Sequence, residues 1–77
     1  MNKVRRKQLD DLITKLEEFK EELEVLQEEE KEYRDNIPEN LQNSTRYEKA
    51  DEACDALGNA VSSLEEAVEY ITESVGE

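Results

Sequence analysis

The sequence predicts an all-α fold: an antiparallel two-helix hairpin of coiled-coil type, expected to pair into a four-helix bundle. Three observations predict it. Pro38, the only proline, lies near the middle of the stretch RDNIPENLQNST, Arg34 to Thr45. Proline blocks helix continuation and pushes the residue before it toward extended geometry. On either side lies a charged, heptad-patterned segment, and the two are nearly equal in length. Finally, 77 residues with 35% hydrophobic and 42% charged side chains allow one small domain without a sizeable core of its own. Coiled coils and disordered chains share that balance, and regular periodicity decides for the coiled coil.

The first helix is expected at about residues 3–35. Its apolar positions run Leu9, Leu12, Leu16, Phe19, Leu23, Leu26 and Tyr33, with spacings alternating three and four. Taking Leu9 as a, this is an a/d heptad seam that only Glu30 interrupts. Most intervening residues are good helix formers, and neither Gly nor Pro occurs before Ile37. At 1.5 Å rise such a helix is ~50 Å long.

The loop, about 36–44, ends on Thr45-Arg46-Tyr47-Glu48, which fits a capping box with Thr45 or Ser44 as N-cap. Ile37 and Leu41 are expected to fold back as an apolar plug over the hairpin end. The second helix, about 45–75, shows Tyr47, Ala50, Cys54, Leu57, Val61, Leu64, Val68, Ile71 and Val75 at the same alternating spacing. A further column, Ala53, Ala60 and Ala67, repeats every seven residues at g. Gly58 costs ~1 kcal/mol relative to Ala and marks close helix approach or a kink, with a continuous helix the favoured reading. Gly76 is the expected stop.

Folding about the loop pairs Tyr33 with Tyr47, Glu30 with Ala50, Leu26 with Cys54, Leu23 with Leu57, Phe19 with Val61, Leu16 with Leu64, Leu12 with Val68, and Leu9 with Ile71. Every layer but that of Glu30 is apolar or aromatic. The basic start, Lys3 to Lys7, and the acids Glu65, Glu66, Glu69 and Glu73 each sit at the wrong end of a helix dipole. Folding brings them together, which sets orientation more than stability.

The formal net charge is −12, from 22 Asp+Glu against 10 Lys+Arg. Such a chain is repelled by nucleic acid and anionic lipid and attracts a basic protein, so neither direct nucleic-acid binding nor membrane association is expected. There is one cysteine and no histidine. A disulfide scaffold is excluded, and a reducing cytoplasm is the expected location. No apolar run approaches a membrane span or the core of a signal peptide. Catalysis would need a pocket, a nucleophile or metal, and a tuned acid or base. The Glu-x-x-His motifs of metal-binding bundles and the EF-hand loop are missing, so no catalytic, cofactor or metal residues are expected.

The remaining candidates concern binding. Glu30 reads as a register-setting polar layer that Arg34, Arg46 or Lys49 can reach. Cys54 reads as a small buried hydrophobe rather than an intersubunit bridge. Tyr33 and Tyr47 form a closing layer, while Tyr70 lies outside the stripe and is the freer contact aromatic. Ala53, Ala60 and Ala67 widen the apolar face of the second helix beyond what one hairpin covers, which points to self-association as a two-fold homodimer. The first helix carries about one acid per ~3.5 Å at 1.5 Å rise, close to the ~3.4 Å phosphate spacing of a DNA strand. Glu17, Glu21, Glu24 and Glu28 are therefore candidates for an acidic partner-binding surface, and the alternative function is a DNA mimic or anti-defence inhibitor occupying a basic groove of a host protein.

The segment YRDNIPENLQNSTRYEKADEACDALGNAVSSLEEAVEYI resembles a group of short acidic helical-hairpin proteins of phages, prophages and mobile elements of Gram-positive and gut bacteria. NIPENLQ with its following serine at the turn, and EACDAL and SLEEAVEYI after it, carry the resemblance. It covers about half the chain. It implies a cytoplasmic accessory protein of mobile DNA that binds or inhibits a host protein, with no enzymatic activity and no site residues to carry over.

Overall fold

A computed structural model describes residues 1–76. The chain forms helix α1, Lys3–Asp35, and helix α2, Thr45–Val75, packed against each other as a hairpin, with a single 3-10 turn, Glu39–Leu41, between them. Its principal extents are 59 × 15 × 12 Å, a rod one hairpin wide. Both helices have the bounds their heptads predict.

Local chemistry fixes the ends. The Asn2 side chain accepts from the Arg5 backbone N–H at 2.7 Å and opens α1. At the far end Asn36 closes it, its N–H donating to the Glu32 carbonyl at 3.0 Å. Ser44 is the N-cap of α2, its Oγ accepting from the Tyr47 N–H at 3.3 Å. With Ser44 in that role, Tyr47 occupies the third helical position, so the reciprocal Glu48 arm of a capping box does not form. Gly76 caps α2 in a right-handed conformation, through its N–H to the Thr72 carbonyl.

The plug is half of what the pattern suggests. Ile37 is buried at 3% exposure, whereas Leu41 stays 43% exposed. Proline geometry explains the split: extended backbone at Pro38 (φ −55, ψ 145) turns Ile37 inward, then the 3-10 turn carries Leu41 outward.

Helix α2 runs unbroken through Gly58. A Cβ there would lie 2.9 Å from Gln27 Nε2, which itself donates to the Cys54 carbonyl at 3.2 Å. The missing side chain leaves the space in which Gln27 crosses to α2. Gly58→Ala therefore gains ~1 kcal/mol of helix propensity and forfeits a hydrogen bond of about the same size. Its expected net effect on stability is near zero, whereas in a Gln27→Ala background it stabilises by ~1 kcal/mol. Urea denaturation of the four chains checks this, and equal effects in both backgrounds would show that Gln27 and Gly58 are uncoupled.

The main departure is a rotation of α1. Its inward, half-buried row is Leu9, Ile13, Leu16, Lys20, Leu23, Gln27, Glu30 and Arg34, the a and e positions. The expected d positions face out: Leu12 is 48% exposed, Phe19 53%, Leu26 52% and Tyr33 47%. The layers expected to pair these four with Val68, Val61, Cys54 and Tyr47 are thus half open. Polar contacts hold the rotation. Arg34 Nη1 donates to Asp51 at 2.9 Å, Lys20 lies 3.8 Å from Glu65, and Gln27 bonds Cys54. The aliphatic stems of Lys20, Gln27 and Arg34 supply the cover that apolar e residues would otherwise provide.

Candidate functional site: two unlike flanks of the hairpin

The rotation gives the rod a polar flank and an apolar flank. Around a heptad helix the positions follow in the order a, e, b, f, c, g, d. Arg34, Gln27 and Lys20 are e residues of α1; Asp51, Gly58 and Glu65 are e residues of α2. The contacts Arg34–Asp51, Lys20–Glu65 and Gln27 beside Gly58 put both e edges on one flank. The d edge of α1 and the g edge of α2 consequently share the other. The Arg46 guanidinium, at g, lies 5.9 Å from the ring centre of Tyr33, at d, and bridges that second flank near the tip.

On the polar flank an open groove of about 640 Å³ is bordered by Gln27, Lys31, Arg34, Asp55, Gly58 and Asn59. Arg34 is its anchor. The Asp35 and then the Asp51 carboxylate hold its guanidinium protonated above the ordinary arginine range. Arg34 turns to those two acids and leaves Glu30, half-buried one turn before it, without the ion pair the pattern suggested. Within the basic start Lys7 pairs with Asp11 of its own helix at 3.2 Å, and in the acidic end Glu65 is taken by Lys20. For Lys7, short range favours the partner four residues along its own helix over one across the hairpin.

The apolar flank carries Leu12, Phe19, Leu26 and Tyr33 from α1 beside half-buried Ala53, Ala60 and Ala67 from α2. Val25, at c and 59% exposed, and Tyr70, at c and 70% exposed, extend it on the two outer sides. The alanine column is therefore one edge of a wider surface. Its larger half, on α1, was hidden by the assumption that a regular a/d seam is consumed within the hairpin. The signal lay in Ile13 and Val25, apolar residues off the seam: Ile13 takes an inward place, which frees the d row.

The acidic surface forms the outer face of α1. Glu17, Glu21, Glu24 and Glu28 are all exposed, and the ion pairs among the described residues involve none of them. These b and f positions lie away from the apolar flank. Cys54 is a free thiol buried beside Ala50, as its a position predicts. Among the described residues no group of three or more His, Cys, Asp or Glu is arranged to hold a metal, and no helix is long and apolar enough to cross a membrane.

No protein-family model, curated protein or solved structure matches the chain.

Proposed function

We propose that this chain is a non-enzymatic, acidic protein-interaction module that self-associates and binds protein partners, acting as a cytoplasmic accessory protein of phage or mobile DNA. The observation that carries the reading is the apolar flank. Leu12, Phe19, Leu26 and Tyr33, each about half exposed, line up at heptad spacing along the rod. Exposed hydrocarbon repeated along one edge of the rod is a candidate interaction surface. The turn and α2 motifs that resemble mobile-element hairpins support the setting, and gene neighbourhood tests it directly. Sedimentation velocity tests the assembly: a species that stays monomeric at tens of micromolar overturns it. Ala60→Glu is expected to weaken association far more than Glu21→Lys, which lies on the outer face.

Ionic strength provides a further prediction. Two chains of net charge −12 repel each other, and at 0.5 M salt the screening length falls to roughly 4 Å from roughly 14 Å at 0.05 M. Self-association through an apolar surface is therefore expected to tighten as salt rises, read by sedimentation equilibrium. Weakening would mean that charge attraction drives it.

The exposed row Glu17, Glu21, Glu24 and Glu28 favours a second reading, a DNA mimic or anti-defence inhibitor seated in a basic groove of a host nuclease or regulator. That complex has the opposite salt response, weakening as salt rises, and DNA competes with it. Reversing the four charges together is expected to remove partner binding; unchanged binding discards the mimic.

A further inference from the structure

Resting on the self-association reading, we propose that the apolar flank is covered by a second copy of the chain, laid side by side with both hairpin tips at the same end, α1 of each copy against α2 of the other. Area is the first argument. The chain exposes 5873 Å², whereas a compact monomer of its 9.0 kDa exposes roughly 4,850 Å². The excess, about 1,000 Å², matches the ~800 Å² per partner that a stable dimer interface buries.

Charge selects the occupant and its orientation. The g and c positions of α2, from Arg46 to Ser74, hold no acid in a chain with 22 of them, and they include Arg46 and Lys49. On α1 the apolar row is lined by Asp11, Glu18 and Glu32 at c and by Glu22 and Glu29 at g, with Lys15 the single base among these positions. Placing α1 on α1 of a partner would set these acids against one another, which is destabilising at close range. Placing α1 on the acid-free face of α2 avoids that. It also sets large on small: Leu26 faces Ala53, Phe19 faces Ala60 and Leu12 faces Ala67 of the other copy, while Tyr33 faces Arg46. The 5.9 Å approach of Arg46 to Tyr33 within one chain shows that the pair is chemically matched. A two-fold axis along the rod generates this arrangement, and all neighbouring helices in the resulting bundle run antiparallel.

The tips report the orientation. Asn40 is exposed in the 3-10 turn, so Asn40→Cys in a Cys54→Ala background accepts one spin label per chain; Cys54→Val serves if Cys54→Ala lowers helicity. Tips together give a label separation of roughly 20–30 Å, from ~10 Å interaxial spacing plus the label arms. Tips apart on a rod 59 Å long give roughly 50 Å or more. Dipolar spectroscopy on the sedimentation-verified dimer is expected to show the short distance alone. The long distance, or a mixture, overturns the arrangement and leaves self-association standing. A monomer overturns both, and a trimer or larger assembly overturns the side-by-side pair. Ala60→Cys gives an independent check: rapid disulfide cross-linking of that chain to itself would place α2 on α2 and overturn the proposal, and no cross-link is the expected result.

Discussion

Phe19→Glu is expected to weaken the proposed dimer at least ~100-fold, or about 2.7 kcal/mol, in its dissociation constant. Phe19 is 53% exposed within one hairpin, and that exposed half is what the proposed second copy would cover. A dimer contains the residue twice. Losing half a Phe burial at each copy forfeits roughly 1 kcal/mol apiece, and an unpaired carboxylate in an apolar contact adds several more. The consequence extends to stability. Among the described residues only Ile37, Ala50 and Cys54 are buried in the single hairpin, too small a core to hold a domain alone. On the proposed self-association, folding is expected to be coupled to assembly, and the melting temperature of the unmodified chain is expected to rise with concentration. Phe19→Glu is expected to lower helicity at micromolar concentration and to flatten that dependence. A concentration-dependent melt in the variant, equal to that of the parent, would show that α1 takes no part in assembly.

Ile37→Ala has the largest expected effect on the hairpin itself. Among the described residues Ile37 is the one branched aliphatic side chain in the buried set, at 3% exposure, and truncating it removes hydrocarbon and leaves a cavity beneath the tip, at ~2–4 kcal/mol. A chain this size has roughly 4–12 kcal/mol of total stability, so the loss is a large share of it. Leu41→Ala, at 43% exposure and four residues further on, is expected to cost less than about 1 kcal/mol. Denaturant titration at a fixed, dimer-saturating concentration separates the two. Similar losses would mean that both residues close the tip.

The hairpin itself was legible because it rests on local rules. Pro38 stops α1, Ser44 starts α2, and heptad spacing without glycine or proline holds α1 together. The rotation of α1 was not legible. A regular a/d seam specifies that apolar residues face a partner without saying whether it lies in the same chain. Arg34, Gln27 and Lys20 decide that question through contacts to Asp51, Cys54 and Glu65 that heptad letters do not encode. The alanine column at 53, 60 and 67 lies half-buried along one edge of α2. The stripe on α1 that the heptads place inside is half exposed, and Arg34, which could reach Glu30, pairs with Asp35 and Asp51 instead. Long side chains with several reachable carboxylates are the least predictable part of such a surface, since the competing pairs differ by less than ~1 kcal/mol.

Cys54 makes the molecule its own clock. A thiol 2% exposed reacts with a water-borne reagent only while α1 and α2 stand apart at that point. When reclosing outruns reaction, the labelling rate is the free-thiol rate multiplied by the opening equilibrium. The residue lies in the tip-proximal third of α2, just below Ala50 and Ile37, so it registers separation of the enclosed segment and is blind to fraying at the far end of the rod. Comparing its reaction half-time with the loss of helix signal would therefore show whether the hairpin unzips from its open end and keeps the tip closed until last.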